Sequence, residues 1–223
     1  MTTIYLVRHC EAEGNTKRYF QGHSDGTVSP NGELQCRQLA ERFRTIHLDA
    51  VYSSPLKRAY FTAQAVDHYH GLPIQTNPGL MEINGGHWEG HLWAELPDLF
   101  PEEADAWAHR PWEFAPKGGE SMREVYDRIW NTVVAIAEKN DGKQIAIVSH
   151  GCAIRNLLTR IKFGGIEKLG EMGWCDNTAV SLLRWENGRM QLVMENDAAH
   201  LDETTSTLHR QTWWREGRKS PFE

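Results

Sequence analysis

The sequence predicts an α/β fold: a three-layer α/β/α sandwich around a mostly parallel sheet, with an antiparallel edge strand. Three observations lead there. Short apolar runs at 4–7, 48–54 and 144–149 are of strand length and end on polar residues. Between them lie longer segments whose apolar residues recur at helical spacing. Near the end, two further apolar runs flank Glu186-Asn187-Gly188-Arg189, a tight-turn sequence. Strands alternating with amphipathic helices pair in parallel, and a closing hairpin supplies the antiparallel strand.

The run 4–7 is continuous rather than alternating, as in a strand buried on both faces, and it ends directly on Arg8 and His9. Ser29 then caps a helix, with Pro30 in its first turn and Cys36, Leu39, Ala40 and Phe43 at helical spacing. Residues 48–54 form the second strand. The next segment repeats the pattern, with Ser54 as cap, Pro55 in the first turn, and Leu56, Ala59, Tyr60 and Ala63 as the inward stripe. Residues 73–76 make a short third strand. Residues 83–119 break the rhythm, since Pro97, Pro101, Pro111 and Pro116 alternate with aromatic side chains; short helices are expected near 92–96 and 102–109. Ser121 and Glu124 form a capping box for a long helix striped by Met122, Val125, Ile129, Val133 and Ile136. The strand 144–149 and a helix from Gly151 follow, then the hairpin, and the polar tail 213–223 is expected to be loose. The chain reads as a single domain, 1–223, with an insertion or lid at 83–119.

Composition narrows the function. A formal net charge of −6 argues against nucleic acid or an anionic membrane surface as partner. No apolar run is long enough for a membrane span or a signal segment. The four cysteines, Cys10, Cys36, Cys152 and Cys175, are scattered without a close pair, which points to a reducing cytoplasm.

In a sheet of this kind ligands bind beyond the carboxyl ends of the strands. Arg8-His9 follow the first strand, and Ser53-Ser54 the second, with Arg58 one helical turn on. The segment after the third strand reaches Glu82, and His150-Gly151 follow the strand 144–149. Each residue alone has an ordinary explanation, as a loop histidine or a surface charge. Converging on one edge, they make a site. Guanidinium forks suit phosphate oxygens, and helix starts after Ser54 and Gly151 add N–H groups favourable to an anion. Histidine can act as the nucleophile toward a phosphoryl group, and a carboxylic acid can protonate the leaving oxygen. With two histidines, two arginines and no carboxylate cluster, neither a metal nor a cofactor is expected. The spacing of His87 and His91 is seen in helical metal sites, but no suitable carboxylate pattern accompanies it, and the pair reads as surface or lid polarity.

These residues resemble the histidine phosphatase superfamily, with its phosphoglycerate-mutase-like fold. "VRHCEAEGN" looks like its opening Arg-His-Gly-Glu-Thr-x-x-Asn motif, and "QGHSDGTVSPNGELQ" like the loop and helix that follow. "VYSSPLKRAYFTAQ" resembles the strand with the second arginine, "LMEINGGHWEG" the acid-bearing segment, "GGES" the re-entry and "VSHGCAIR" the second histidine motif. The resemblance implies that His9 is the nucleophile and Glu82 the proton donor. It implies that Arg8, Arg58, His150 and Asn15 bind the phosphoryl group, and that Gln21 and Gly22 border the substrate. Two positions depart from the pattern: Cys10 stands where the family has glycine, and Ala12 where it has a hydroxyl residue.

The superfamily contains both hydrolases and mutases. Mutases of the family use a lysine and paired arginines in the insertion to grip a second anionic group, whereas residues 83–119 hold only Arg110 and Lys117 among many acids. A phosphatase acting on small phosphorylated metabolites is therefore favoured, as monomer or homodimer. A phosphoglycerate mutase and a non-catalytic phosphate-binding module are the alternatives. Most tryptophans of the insertion are expected to pack a small core, with one or two at the pocket mouth.

Overall fold

The structure is a computed structural model that describes residues 1–211; the tail expected at 213–223 lies outside the described residues. Its centre is a six-stranded sheet in the order β3-β2-β4-β1-β5-β6. The strands are β1 (Thr2–Arg8), β2 (Ala50–Ser53), β3 (Ile74–Thr76), β4 (Gln144–Ser149), β5 (Val180–Glu186) and β6 (Arg189–Asp197). β1, β2, β3 and β4 pair in parallel, β5 runs against β1, and β6 against β5. The antiparallel pairing sits at the end of the sheet where the hairpin closes the chain. The fold class is the one the sequence implies.

Alternation along the central strands builds the two outer layers. Ile4 and Leu6 of β1 and Ile145 and Ile147 of β4 pack against α6 (Met122–Lys139) and α7 (Gly151–Phe163). Val7, Ala146 and Val148 point the other way, onto Leu39 and Phe43 of α2 (Pro30–Phe43) and Ala59, Ala63 and Val66 of α3 (Lys57–Asp67). The α6 stripe is buried at every expected position, and its capping box forms: Ser121 Oγ accepts from Glu124 N while the Glu124 carboxylate accepts from Ser121 N. Such a cap contributes about 1 kcal/mol.

Several local expectations differ. Helix α3 begins at Lys57 with Leu56 as N-cap, so Ser54 is no cap; its hydroxyl is committed to His150 instead. Tyr60 is not on the inward stripe but 38% exposed, because the later start turns Arg58, Ala59, Thr62, Ala63 and Val66 inward. A helix α1 (Glu13–Lys17) has too few apolar residues to show a stripe. In place of a helix at 92–96, α4 spans Leu96–Leu99, with Pro97 suited to its first turn; α5 (Pro101–His109) follows. Around these short helices a second cluster packs Phe20, Trp88, Leu96, Trp107 and Phe114 against Met122, Val125 and Tyr126 of α6. His87 lies in a single 3₁₀ turn (Gly86–Trp88) and His91 outside it, so the two share no helix face: His87 pairs with Glu103 at 2.7 Å and His91 with Glu95 at 3.8 Å. A further short helix, α8 (Thr207–Arg210), lies close to the end of the described chain.

Candidate active site

Sheet order decides which strand ends meet. β4, late in sequence, inserts between β1 and β2, with Arg8 opposite Ser149 and Ser53 opposite Val148. His9 N then donates to Ser149 O at 2.9 Å and Ser54 N to Val148 O at 3.0 Å, which sets three strand ends side by side. A cavity of about 140 Å³ opens there, lined by Arg8, His9, Asn15, Gln21, Gly22, Arg58 and Glu82 among others. His150 lies just behind, its ring centroid 5.1 Å from that of His9. The structure thus brings all eight residues singled out in the sequence to one place.

The His9 imidazole is oriented by the backbone of its neighbour, Nδ1 lying 2.7 Å from Cys10 O. A carbonyl only accepts, so Nδ1 carries the hydrogen and Nε2 keeps its lone pair. Cys10 needs no glycine conformation, since it is not among the residues of positive φ. Its thiol is fully buried, 3.9 Å from Arg58 O. Hydrogen bonding between the Cys10 and Cys36 thiols lowers the Cys10 pKa and raises that of Cys36. Burial, then the charges of Arg58 and Arg8, hold His9 well below the ordinary imidazole range. Burial and Arg58 do the same for His150. Both rings are therefore neutral near pH 7.

Around this imidazole lie polar atoms that the protein leaves without partners. Arg58 donates from Nη1 to Ser24 O at 2.9 Å and from Nη2 to Gly22 O at 2.7 Å, but its Nε is buried and unpaired. Arg8 donates from Nη1 to Cys175 O, and its Nε is likewise unpaired. His150 Nε2 lies 2.7 Å from Ser54 Oγ, while its Nδ1 is buried with no partner. Ser54 Oγ accepts from Leu56 N, and in the tautomer in which its own hydrogen is donated to His150 Nε2, Nδ1–H is the unpaired donor. An unmet buried donor costs about 1–3 kcal/mol. Three around one imidazole form a seat for an anion.

The Gly22 carbonyl is held where Arg58 needs it. Gly22 has φ +52°, and a Cβ there would lie 2.2 Å from Glu89 Oε1. That carboxylate accepts from His23 N, Gly85 N and Ser24 Oγ, binding the Gly22 loop to the segment that bears Glu82. Glu82 itself accepts from Cys152 N at 3.1 Å and Ala153 N at 3.0 Å, in the first turn of α7. Asn15 Oδ1 accepts from Ala12 N at the start of α1. Gln21 packs over Gly14, where a Cβ would meet its side chain at 2.0 Å, and its Oε1 is buried without a partner.

Other supporting residues escaped the sequence reading. Arg128 of α6 donates to Gly79 O, Met81 O and Glu82 O, clamping the backbone on either side of the acid. Asn177 Nδ2 donates to His9 O at 2.8 Å, and Thr178, a β-branched residue at φ +59°, turns its N–H onto Arg8 O at 3.1 Å. Such a φ is a strained position for threonine and marks a site the surroundings enforce. The aromatic lining is Tyr19, Phe20, Trp93, Trp107 and Trp174; Trp93 and Trp107 come from the expected insertion, Trp174 does not. Among the described residues no three His, Cys, Asp or Glu side chains are grouped as a metal site requires, and no helix is long and apolar enough to cross a membrane.

Comparison with known proteins agrees with this geometry. The family model described as the histidine phosphatase superfamily (branch 1) matches residues 4–198. Phosphoserine phosphatase 1 of Hydrogenobacter thermophilus is 31% identical over 210 residues, covering 94% of this chain and 99% of that protein. Phosphoglycerate mutase-like protein 4 of Arabidopsis thaliana is 33% identical, covering 90% of this chain and 87% of that protein. The solved structure of Bacillus stearothermophilus YhfR superposes with a TM-score of 0.87 at 29% identity, covering 91% of this chain and all of the other. A neutral, backbone-oriented histidine at the end of the first strand, faced by buried unpaired arginine nitrogens, thus belongs to a chain that is a member of the histidine phosphatase superfamily.

Proposed function

We propose that this protein is a phosphatase that hydrolyses phosphate monoesters of small metabolites through a phosphohistidine at His9. The observation that carries the reading is the set of buried, unpaired nitrogens, Arg8 Nε, Arg58 Nε and His150 Nδ1, around a neutral His9. In the first step His9 Nε2 attacks phosphorus, the N–P bond forms and the ester P–O bond breaks. Glu82 passes a proton to the leaving oxygen. In the second step Glu82 takes a proton from the attacking water, the N–P bond breaks and inorganic phosphate is released. Arg8, Arg58 and His150, with Asn15, meet the charge on the phosphoryl oxygens throughout, and Gln21 and Gly22 border the ester. Neither metal nor cofactor enters these steps.

Hydrolysis is favoured over mutase action by the insertion. Arg110 is paired with Asp105 and Glu113, and neither it nor Lys117 is among the cavity's lining residues, so neither meets a second anionic group there. We read residues 1–223 as one domain with 83–119 as an insertion over the pocket, because Trp93 and Trp107 line it. A reducing, cytoplasmic location fits the four free, buried cysteines, and monomer or homodimer stays the assembly we propose.

The test is turnover of p-nitrophenyl phosphate in excess EDTA, with denaturation in alkali to preserve the enzyme-bound phosphate. The wild type should turn over and carry acid-labile, base-stable phosphate that His9→Ala lacks. Trapped phosphate on His9→Ala, or activity lost in EDTA and restored by a divalent cation, would overturn the assignment. Binding without turnover would leave only a phosphate-binding module.

A further inference from the structure

The cavity has two chemically different surfaces, which meet at Gly151: a Cβ there would stand 3.3 Å from Arg8 Nε and 3.5 Å from Trp174 Cζ3. One holds the phosphoryl seat just described. The other is a continuous aromatic wall: Phe20 and Trp93 lie 5.1 Å apart at 54°, Trp93 and Trp107 5.5 Å apart at 48°, and Trp107 and Trp174 6.3 Å apart at 23°. Ile83 and Leu208 add apolar surface. Trp174 is the fixed member of the wall. The Arg155 guanidinium lies over its ring at 4.7 Å and is itself pinned by donating to Met172 O at 2.8 Å and Leu169 O at 2.7 Å. Trp174 also closes onto Gly151, where a Cβ would stand 3.5 Å from its Cζ3. Gly151 opens the helix whose next two N–H groups hold Glu82. The indole is therefore set at the helix start that Arg8 and Glu82 share.

We infer that this wall is a leaving-group subsite for phosphate esters whose alcohol carries a flat apolar ring, with Trp174 as its specificity-determining residue. The inference rests on the phosphatase reading above. Glu82 is the only carboxylate lining the cavity among the described residues, and its oxygens are engaged by backbone N–H groups, so an ammonium-bearing leaving group finds no carboxylate partner. Nor do the rings form a cage for a quaternary ammonium: they pack on one another within 5–6.3 Å as a wall rather than facing inward around a hollow. A planar ring laid on such a wall gains both apolar burial and offset stacking.

The experiment compares kcat/KM for 2-phenylethyl phosphate, O-phosphoserine and phosphocholine. All three release alkyl alcohols, so leaving-group reactivity does not decide the ranking. The phenylethyl ester should lead by about tenfold, the equivalent of about 1.4 kcal/mol. Trp174→Leu keeps apolar volume over Gly151 but removes the flat face, and should erase most of that lead while leaving competitive inhibition by inorganic phosphate unchanged; Trp174→Phe should restore part of it. Equal rates for the three esters, preference for either ammonium-bearing ester, or Trp174→Leu weakening phosphate inhibition as much as it slows the phenylethyl ester would each overturn the inference. If the wild type turns over no ester, the phosphatase reading fails separately. Calorimetric titration still decides the subsite: 2-phenylethylphosphonate should bind about tenfold more tightly than 2-aminoethylphosphonate, and equal affinities would refute it.

Discussion

Acid should destabilise this fold through His9 and His150 themselves. The two side chains are 3% and 0% exposed, and burial with the charge of Arg58 holds both imidazoles well below their ordinary pKa of 6.5. Below about pH 6.5 the unfolded chain takes up protons at these positions and the folded chain does not. Stability is thus fully present above that pH and is lost as the pH falls. Between pH 6 and pH 5 each histidine removes about 1.2 kcal/mol, allowing for incomplete protonation of the unfolded chain at pH 6, and the pair about 2.4 kcal/mol. Urea unfolding at steps from pH 7 to pH 5, on wild type, His9→Gln and His150→Gln, measures this. Each variant should lose about 1.2 kcal/mol less than wild type over that unit. Taking the difference cancels the other titrating groups, including His200, held at about 4 chiefly by burial. Parallel stability curves for wild type and both variants would show that these imidazoles are not kept neutral by the fold, and the account of His9 as an uncharged nucleophile would go with them.

Three further outcomes follow from the same geometry. Glu82→Gln should slow alkyl phosphates by about 10²-fold or more while slowing p-nitrophenyl phosphate much less, since only the poor leaving groups need the proton; steady-state kinetics showing equal slowing would make Glu82 a structural residue. Asn177→Ala withdraws the 2.8 Å donor from His9 O and should cost about 1–3 kcal/mol of stability. Its kcat should fall without a matching rise in KM, and unchanged kcat would remove Asn177 from the support of His9. In dilute peroxide, wild type and Cys10→Gly should lose activity at the same rate, because the Cys10 thiol is fully buried; faster loss in wild type would mean the thiol is reached.

The sequence alone determined what local periodicity can carry. The α6 stripe from Met122 to Ile136 and the α2 residues Leu39 and Phe43 are buried where their spacing requires, because a helix repeats its faces whatever surrounds it. Arg8, His9, Ser53 and His150 were legible as strand-end residues, since each directly follows or closes an apolar run. Their meeting at one edge depended on pairing that no local pattern encodes: β4 between β1 and β2, joined by contacts between residues remote in sequence. Ser54 reads locally as a helix cap, and only the arrival of His150 turns its hydroxyl elsewhere. Trp174, Arg128 and Asn177 carry no signal along the chain, because each acts on a backbone or pocket remote in sequence. The chemistry of the seat is of this second kind. Arg58 offers its Nε because Gly22 and Ser24 have taken its other nitrogens, and Arg8 because Cys175 has engaged its Nη1. A residue's type sets which donors it owns, but the folded surroundings decide which of them remain unpaired.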